Sequence, residues 1–108
     1  MNDFTPHLVA LDIDGTLLDH DGVMPSQVRR AVRRVVDAGV PVVLATGRSW
    51  HGTQHIADAL ALPPGEHICS NGAVIVNYPP FTLHETVTFD PAKVVRAAAD
   101  LNPDAAIA

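Results

Sequence analysis

Two aspartates one residue apart, Asp12 and Asp14, end the apolar run in the stretch VALDIDGTLLD (residues 9–19). Two like charges this close repel each other, and Mg²⁺ relieves the repulsion because it prefers hard oxygen ligands such as carboxylates. A carboxylate can also attack phosphorus, while a neighbouring acid protonates the leaving alcohol and later deprotonates the attacking water. The pair therefore indicates metal-assisted phosphoryl transfer, with an ordinary solvated loop as the alternative.

Groups suited to phosphate stand beside this pair and recur later in the chain. Gly15 allows a tight turn or a close backbone approach to a phosphate, and Thr16 is the next candidate contact. Thr46 offers a hydroxyl, Gly47 an accessible main-chain N–H, and Arg48 a planar guanidinium that suits phosphate or a sugar hydroxyl. The alternative for this second cluster is an ordinary turn between a strand and a helix.

The elements that must position these groups alternate between strands and helices. Nearly continuous apolar runs predict buried strands at residues 7–13, 40–46 and 67–77. The third strand is interrupted at Asn71-Gly72, for which a simple turn or bulge is the alternative. Helices are predicted after Pro25-Ser26 up to a stop at Gly39, within residues 47–62, and from Asp90-Pro91 to about Leu101. Residues 81–89 alternate like a hairpin partner, and residues 104–108 could begin another strand.

The first predicted helix has two distinct faces. Its apolar stripe consists of Val28, Ala31, Val32, Val35 and Val36. Four arginines occupy the opposite face: Arg29, Arg30, Arg33 and Arg34. Such a face is typical of a solvated surface, and an anionic partner is the alternative.

Alternation of strands and helices predicts an α/β fold, a parallel, doubly wound (Rossmann-like) sheet. In such sheets ligands collect at the carboxyl ends of the strands. Asp12 and Asp14 end the first strand, Thr46 ends the second, and Ser70-Asn71 end the first part of the third. We therefore expect three polar clusters, distant along the chain, to converge on one rim.

Composition narrows the class of protein. The 108 residues suit one small domain, and the formal charge of −5 argues against a nucleic acid or an anionic membrane as partner. A single cysteine, Cys69, permits no internal disulfide, so a cytoplasmic location is expected. No apolar run approaches the ~20 residues of a membrane-spanning helix.

Two further patterns carry less weight. His51 and His55 are four residues apart on a predicted helix, an arrangement that could form one edge of a zinc site, but no partner ligands are evident. The stretch DHDG (residues 19–22) resembles the start of a calcium loop, but position 12 of that loop falls on Arg30, so we reject it.

Three stretches together resemble the haloacid dehalogenase superfamily of phosphatases. DIDGTLL resembles its first motif, VVLATGR its second motif in the form of the Cof-type, sugar-phosphatase-like branch, and CSNGAVI the third-strand segment of that branch. The resemblance covers about residues 7–90. It implies a Mg²⁺-dependent phosphomonoester hydrolase that works through an aspartyl-phosphate on a small phosphorylated metabolite, such as a sugar phosphate.

The resemblance also implies a role for each matching residue. Asp12 would be the nucleophile and a metal ligand. Asp14 would be the general acid/base and would bind Mg²⁺ through its main-chain carbonyl. Thr46 would hold the transferred phosphoryl group, and three residues would line the phosphate and substrate side: Gly47, Arg48 and Asn71.

The chain departs from the family pattern in its second half. The only lysine is Lys93, in a predicted surface helix, and no GD dipeptide of a GDxxND motif follows Thr46. We therefore expect the N-terminal portion of a longer enzyme, with residues 1–89 as an incomplete catalytic core and residues 90–108 as the beginning of an inserted cap. Such a chain should be poorly active or inactive, and its unpaired sheet edge should favour self-association.

Other classes remain as alternatives. A phosphomutase would use the same nucleophile, and a non-catalytic remnant would fold without turnover. A phosphoacceptor receiver domain is disfavoured, because there the phosphorylated aspartate ends the third strand, which here ends in Cys69-Ser70-Asn71.

Overall fold

The computed structural model describes residues 4–106 and contains five strands and three α-helices in that range. In chain order they are β1 (Val9–Leu11), α1 (Ser26–Asp37), β2 (Val42–Leu44), α2 (Gln54–Ala59), β3 (Gly65–Cys69), β4 (Val74–Tyr78), β5 (Thr82–Thr86) and α3 (Ala92–Leu101). A single 3₁₀ turn, Ser70–Gly72, joins β3 to β4. None of the helices in the described range is long and apolar enough to cross a membrane.

The first three strands run parallel, as the apolar runs predicted. β1 pairs with β2 in a register that sets Val9 opposite Val42. β3 joins the other side of β2 through a parallel bridge between Ala45 and Ile68. Helices α1 and α2 provide the connections between these strands, because parallel neighbours need a crossover. The α/β class with a parallel sheet is therefore confirmed.

The apolar stripe of α1 helps to form the core beneath the sheet. Val32 is buried against a cluster that includes the fully buried Ile13, Leu44 and Leu60. One predicted feature of the helix is wrong: Arg33 does not lie on a purely solvated face. Its Nη1 donates to the carbonyls of Leu60 (3.1 Å) and Ala61 (2.8 Å), which directly follow α2 and, like the end of any helix, lack helical N–H partners.

The interruption predicted at Asn71-Gly72 in the third strand, residues 67–77, is a complete reversal of the chain, so the segment forms two strands. The chain reverses after β3, and β4 runs antiparallel to it with Cys69 opposite Val74. The reversal occurs because Ser70 and Asn71 adopt positive φ angles of 50° and 53°, which turn the backbone out of the extended conformation. β5 then pairs antiparallel with β4, which confirms the hairpin predicted for residues 81–89.

The end of the described chain is helical. The carboxylate of Asp90 accepts a hydrogen bond from the main-chain N–H of Ala92 (3.0 Å), as expected of a helix cap, and α3 begins one residue after the predicted Pro91. The strand suggested for residues 104–108 does not form in residues 104–106, and residues 107–108 lie outside the described range. The division into a core (1–89) and the beginning of a cap (90–108) stays a prediction.

Candidate active site

A cavity of about 390 Å³ opens at the carboxyl ends of the parallel strands. It brings together four of the predicted site residues: Asp12, Thr46, Gly47 and Asn71. Three residues without reactive groups complete its wall: Ala45, Ile68 and Gly72. Nothing in the sequence distinguishes Ala45 or Ile68 from other strand residues, whereas the Asn-Gly pair could have indicated Gly72.

Asp12 follows β1 directly and its side chain is exposed to solvent at this cavity. Oδ1 accepts a hydrogen bond from the main-chain N–H of Ile13 (2.8 Å), which fixes the orientation of the carboxylate. Within residues 4–106, Oδ2 has no hydrogen-bond partner from the protein. The carboxylate thus presents one oxygen to the cavity, as an attacking group or a metal ligand requires.

Thr46 follows β2, is only 5 % exposed and is fixed on three sides. Its main-chain N–H donates to the carbonyl of Ile68 (2.9 Å), and its carbonyl accepts from the N–H of Asn71 (3.1 Å). Its Oγ1 accepts from the N–H of Arg48 (3.0 Å). Because the oxygen accepts, the hydroxyl proton remains free to be donated to an anion in the cavity.

Gly47 and Asn71 approach each other closely at the mouth of the cavity. A Cβ atom placed on Gly47 would lie 3.1 Å from Oδ1 of Asn71, which is tighter than ordinary contacts. Asn71 itself has left-handed backbone angles (φ 53°, ψ 34°), a strained state that concentrates at functional sites. Asn71 thus belongs both to the turn after β3 and to the candidate site. Its interpretation as a turn residue and its interpretation as a site residue do not exclude each other.

Asp14 and Arg48 form a two-pronged ion pair beside the cavity rather than within it. Nε of Arg48 donates to Oδ2 of Asp14 (2.8 Å), and Nη2 donates to Oδ1 (2.6 Å). The hydrogen bonds from Arg48 lower the pKa of Asp14, and the same contact raises the pKa of Arg48. The carboxylate form, which a general base requires, is therefore favoured.

Gly15 and Thr16 lie in the turn after Asp14, and neither lines the cavity. Gly15 has a φ of 78°, and its N–H donates to the carbonyl of Leu18 (3.0 Å). The N–H of Thr16 donates to the carbonyl of Ile13 (3.2 Å). Of the two uses proposed for Gly15, the structure shows the tight turn, and both amides are engaged within it.

The donor set is compatible with a weakly held magnesium ion. Mg²⁺ commonly binds through one or two carboxylates together with waters and substrate phosphate. Asp12 provides one exposed carboxylate oxygen at the cavity. The main-chain carbonyl of Asp14 is the second donor that we predicted, and Asp14 lies beside the cavity rather than in its lining. No group of three or more His, Cys, Asp or Glu side chains converges anywhere within residues 4–106. Oxygen atoms of the substrate and of water would have to complete the coordination.

The sequence and the structure are both similar to known phosphatases and hydrolases. A family model for haloacid dehalogenase-like hydrolases matches residues 9–104. Over 67 residues the chain is 39% identical to a 5-amino-6-(5-phospho-D-ribitylamino)uracil phosphatase of Bacillus subtilis, a match that covers 62% of this chain and 22% of that protein. Over 94 residues it is 35% identical to a pyridoxal phosphate phosphatase of Escherichia coli, covering 86% of this chain and 33% of that protein.

Among solved structures, a haloacid dehalogenase-like hydrolase from Bacteroides thetaiotaomicron superposes with a TM-score of 0.79 at 26% identity. The superposition covers 92% of this chain and 39% of the other. The chain thus spans between about a fifth and two fifths of the length of these relatives.

Proposed function

Because the chain belongs to the family of haloacid dehalogenase-like hydrolases, we propose that it supplies the nucleophile of a Mg²⁺-dependent phosphomonoester phosphatase. The observation that carries the proposal is the cavity at the strand ends. There the exposed carboxylate of Asp12 shares one space with the free hydroxyl proton of Thr46 and the main chain of Gly47. A nucleophile next to fixed hydrogen-bond donors is the arrangement that phosphoryl transfer needs.

The proposed reaction has two steps. The free oxygen of Asp12 attacks phosphorus, the bond from phosphorus to the ester oxygen breaks, and Asp14 gives that oxygen a proton. This step requires that the Asp14 carboxyl group be protonated and that one of its two oxygens be released from Arg48. In the second step Asp14 takes a proton from water, whose oxygen attacks phosphorus, so that phosphate leaves and the Asp12 carboxylate is restored. Mg²⁺, bound by Asp12 and the carbonyl of Asp14, would supply positive charge that neutralises the phosphoryl oxygens.

Thr46 and Gly47 hold the phosphoryl group in this proposal. The Thr46 hydroxyl cannot turn away, because its oxygen already accepts the Arg48 N–H inside a nearly buried corner. Gly47 leaves its main chain open to an anion, since it carries no side chain at the point where Asn71 closes in. Fixed donors of this kind stabilise charge without first having to reorganise.

The substrate class that we propose is a small phosphorylated metabolite in the cytoplasm. Two relatives are phosphatases named for such compounds, a phosphoribitylamino-uracil and pyridoxal phosphate. The acidic net charge of −5 is consistent with a small ligand rather than a nucleic acid.

Release of phosphate from p-nitrophenyl phosphate, with and without Mg²⁺, tests the proposal. Because no GDxxND motif follows Thr46, we expect a slow rate that depends on Mg²⁺. We also expect incubation with a phosphate ester to add one phosphoryl group, which peptide mapping should locate on Asp12. Asp12→Asn should abolish both signals, because an amide does not attack phosphorus. The matched control is Asp21→Asn, an exposed aspartate of the following loop, which should keep both. A phosphoryl group on another residue would contradict the proposal.

A further inference from the structure

We propose that Arg48 is a positioning residue rather than a ligand of the phosphate. It binds the carboxylate of Asp14 and connects the segments that follow β1, β2 and β3. The catalytic meaning of this inference rests on the proposed function, whereas the structural contact does not. It departs from the role that the family resemblance implied for Arg48.

All three nitrogen atoms of the Arg48 guanidinium donate hydrogen bonds within the protein. Two of its nitrogen atoms, Nε and Nη2, bind both carboxylate oxygens of Asp14. The third, Nη1, donates to the carbonyl of Gly52 (3.1 Å), which lies in the same loop as Arg48, between β2 and α2. The forked edge that would suit a phosphate is therefore already occupied by a carboxylate of matching geometry. Arg48 is also absent from the residues that line the cavity.

The main chain of Arg48 also contacts the neighbouring segments. The N–H of Arg48 donates to Oγ1 of Thr46, and its carbonyl accepts the N–H of Ser70 (2.8 Å). Arg48 thus contacts the segments that follow all three parallel strands: Asp14 after β1, Thr46 after β2 and Ser70 after β3. One residue sets the relative positions of the acid/base and the phosphate-holding hydroxyl.

The turn that carries Asp14 makes its main-chain hydrogen bonds within itself. Its main-chain hydrogen bonds are local: the N–H groups of Leu17 and Leu18 both donate to Ile13, and that of Gly15 donates to Leu18. These bonds shape the turn but do not fix it against the loop after β2. Leu17 and Leu18 anchor the apolar side of the turn in the core, and among the side-chain hydrogen bonds of residues 4–106 the bridge from Arg48 is the one that connects Asp14 to the loop after β2. Lysine would keep the charge but could not bind both oxygens through a rigid fork.

Hydrogen exchange of the amides at residues 15–18 tests the bridge directly. We expect Arg48→Lys to speed their exchange by about fivefold, which is the scale of a well-formed but exposed ion pair. In a chain that already carries Asp14→Ala, Arg48→Lys should cause no further increase in the exchange rates of these amides. The matched control is Arg34→Lys, an exposed arginine on α1, which should leave these amides unchanged. Unchanged exchange in Arg48→Lys would overturn the inference.

Binding of inorganic phosphate, followed by the amide shifts of Thr46 and Gly47 at fixed Mg²⁺, separates the two roles of Arg48. We expect the dissociation constant of Arg48→Lys to stay within about threefold of the unaltered chain, because the guanidinium contacts Asp14 and Gly52 rather than the cavity, and lysine preserves the charge nearby. A loss of more than about tenfold in Arg48→Lys, with Asp14→Ala unaffected, would identify Arg48 as a phosphate ligand and overturn the inference. If phosphate does not change the amide shifts of Thr46 and Gly47 in the unaltered chain, that result counts against the proposed function. The hydrogen-exchange rates of residues 15–18 then test the contact between Arg48 and Asp14 by themselves.

Discussion

The imidazole Nδ1 of His67 accepts a hydrogen bond from the main-chain N–H of Leu44 at 3.0 Å. Alternate N–H groups along β2 and directly after it point toward β3, and the N–H of Thr46 donates to the carbonyl of Ile68 (2.9 Å), as in a parallel ladder. At Leu44 the acceptor is the side chain of His67 instead of a main-chain carbonyl of β3. Because Nδ1 accepts, the proton of the neutral ring must be on Nε2, which is buried without a partner within residues 4–106.

This contact predicts loss of stability in acid. Burial lowers the pKa of His67 from its ordinary value of 6.5, so the unfolded chain binds the proton more readily than the folded chain. The contribution of the neutral ring is fully present above about pH 6.5 and falls as the pH drops below that value. Protonation would also turn Nδ1 into a donor facing the N–H of Leu44. Urea unfolding between about pH 7.5 and about pH 5 measures the effect.

The control for this prediction is His67→Asn, whose side-chain oxygen can approach the N–H of Leu44 but does not titrate in this range. We expect the free energy of unfolding of this variant to depend less on pH than that of the unaltered chain. Equal slopes in the two proteins would show that His67 does not cause the acid sensitivity.

Binding of Mg²⁺ should distinguish the two aspartates. Asp12→Asn removes the carboxylate that we propose as ligand, whereas Asp14→Asn leaves the main-chain carbonyl in place. We therefore expect Asp12→Asn to weaken Mg²⁺ binding more, starting from an affinity in the ~millimolar range that one carboxylate and one carbonyl can support. Calorimetric titration of both variants measures this. A larger loss in Asp14→Asn would mean that the two roles are exchanged.

Thr46 should be sensitive to loss of its hydroxyl and tolerant of loss of its methyl group. Thr46→Val keeps the shape but leaves the N–H of Arg48 without its acceptor, which typically costs about 1–3 kcal/mol where the group is shielded from water. It also removes the donor proposed for the phosphoryl group. Thr46→Ser keeps both functions. Denaturant unfolding and phosphate binding should therefore both rank Ser above Val, and equal behaviour would contradict the role of the hydroxyl.

Gly47→Ala should perturb the chain through Asn71 alone. The added methyl group would stand 3.1 Å from Oδ1 and 3.5 Å from Nδ2 of that side chain, which must move away from the cavity mouth. We expect a loss of about 1 kcal/mol in the free energy of unfolding, as for mild overpacking. In a chain with Asn71→Gly, which removes the contact and suits the positive φ, the loss should shrink. An equal loss of unfolding free energy in the double variant would show that the contact with Asn71 does not cause the destabilisation.

Much of the rim could be predicted from the sequence. Strands that are covered by other elements must be apolar along their length, so polar residues such as Asp12 and Thr46 can only stand where the strands end. Because parallel strands end on the same edge, these residues were expected to meet, and the cavity contains them both. The roles of the individual residues in catalysis are still predictions.

Contacts between distant residues required the tertiary structure. Asp14 and Arg48 are 34 positions apart, and each has a plausible use on its own, so only their proximity shows that they bind each other. The reversal after β3 depends on left-handed angles at Ser70 and Asn71, which residue type permits but does not require. The pattern of apolar and polar residues determines which segments are buried and where their polar ends lie. The partner of each buried donor depends on which acceptor is nearest once water has been excluded, and spacing along the chain does not encode that distance.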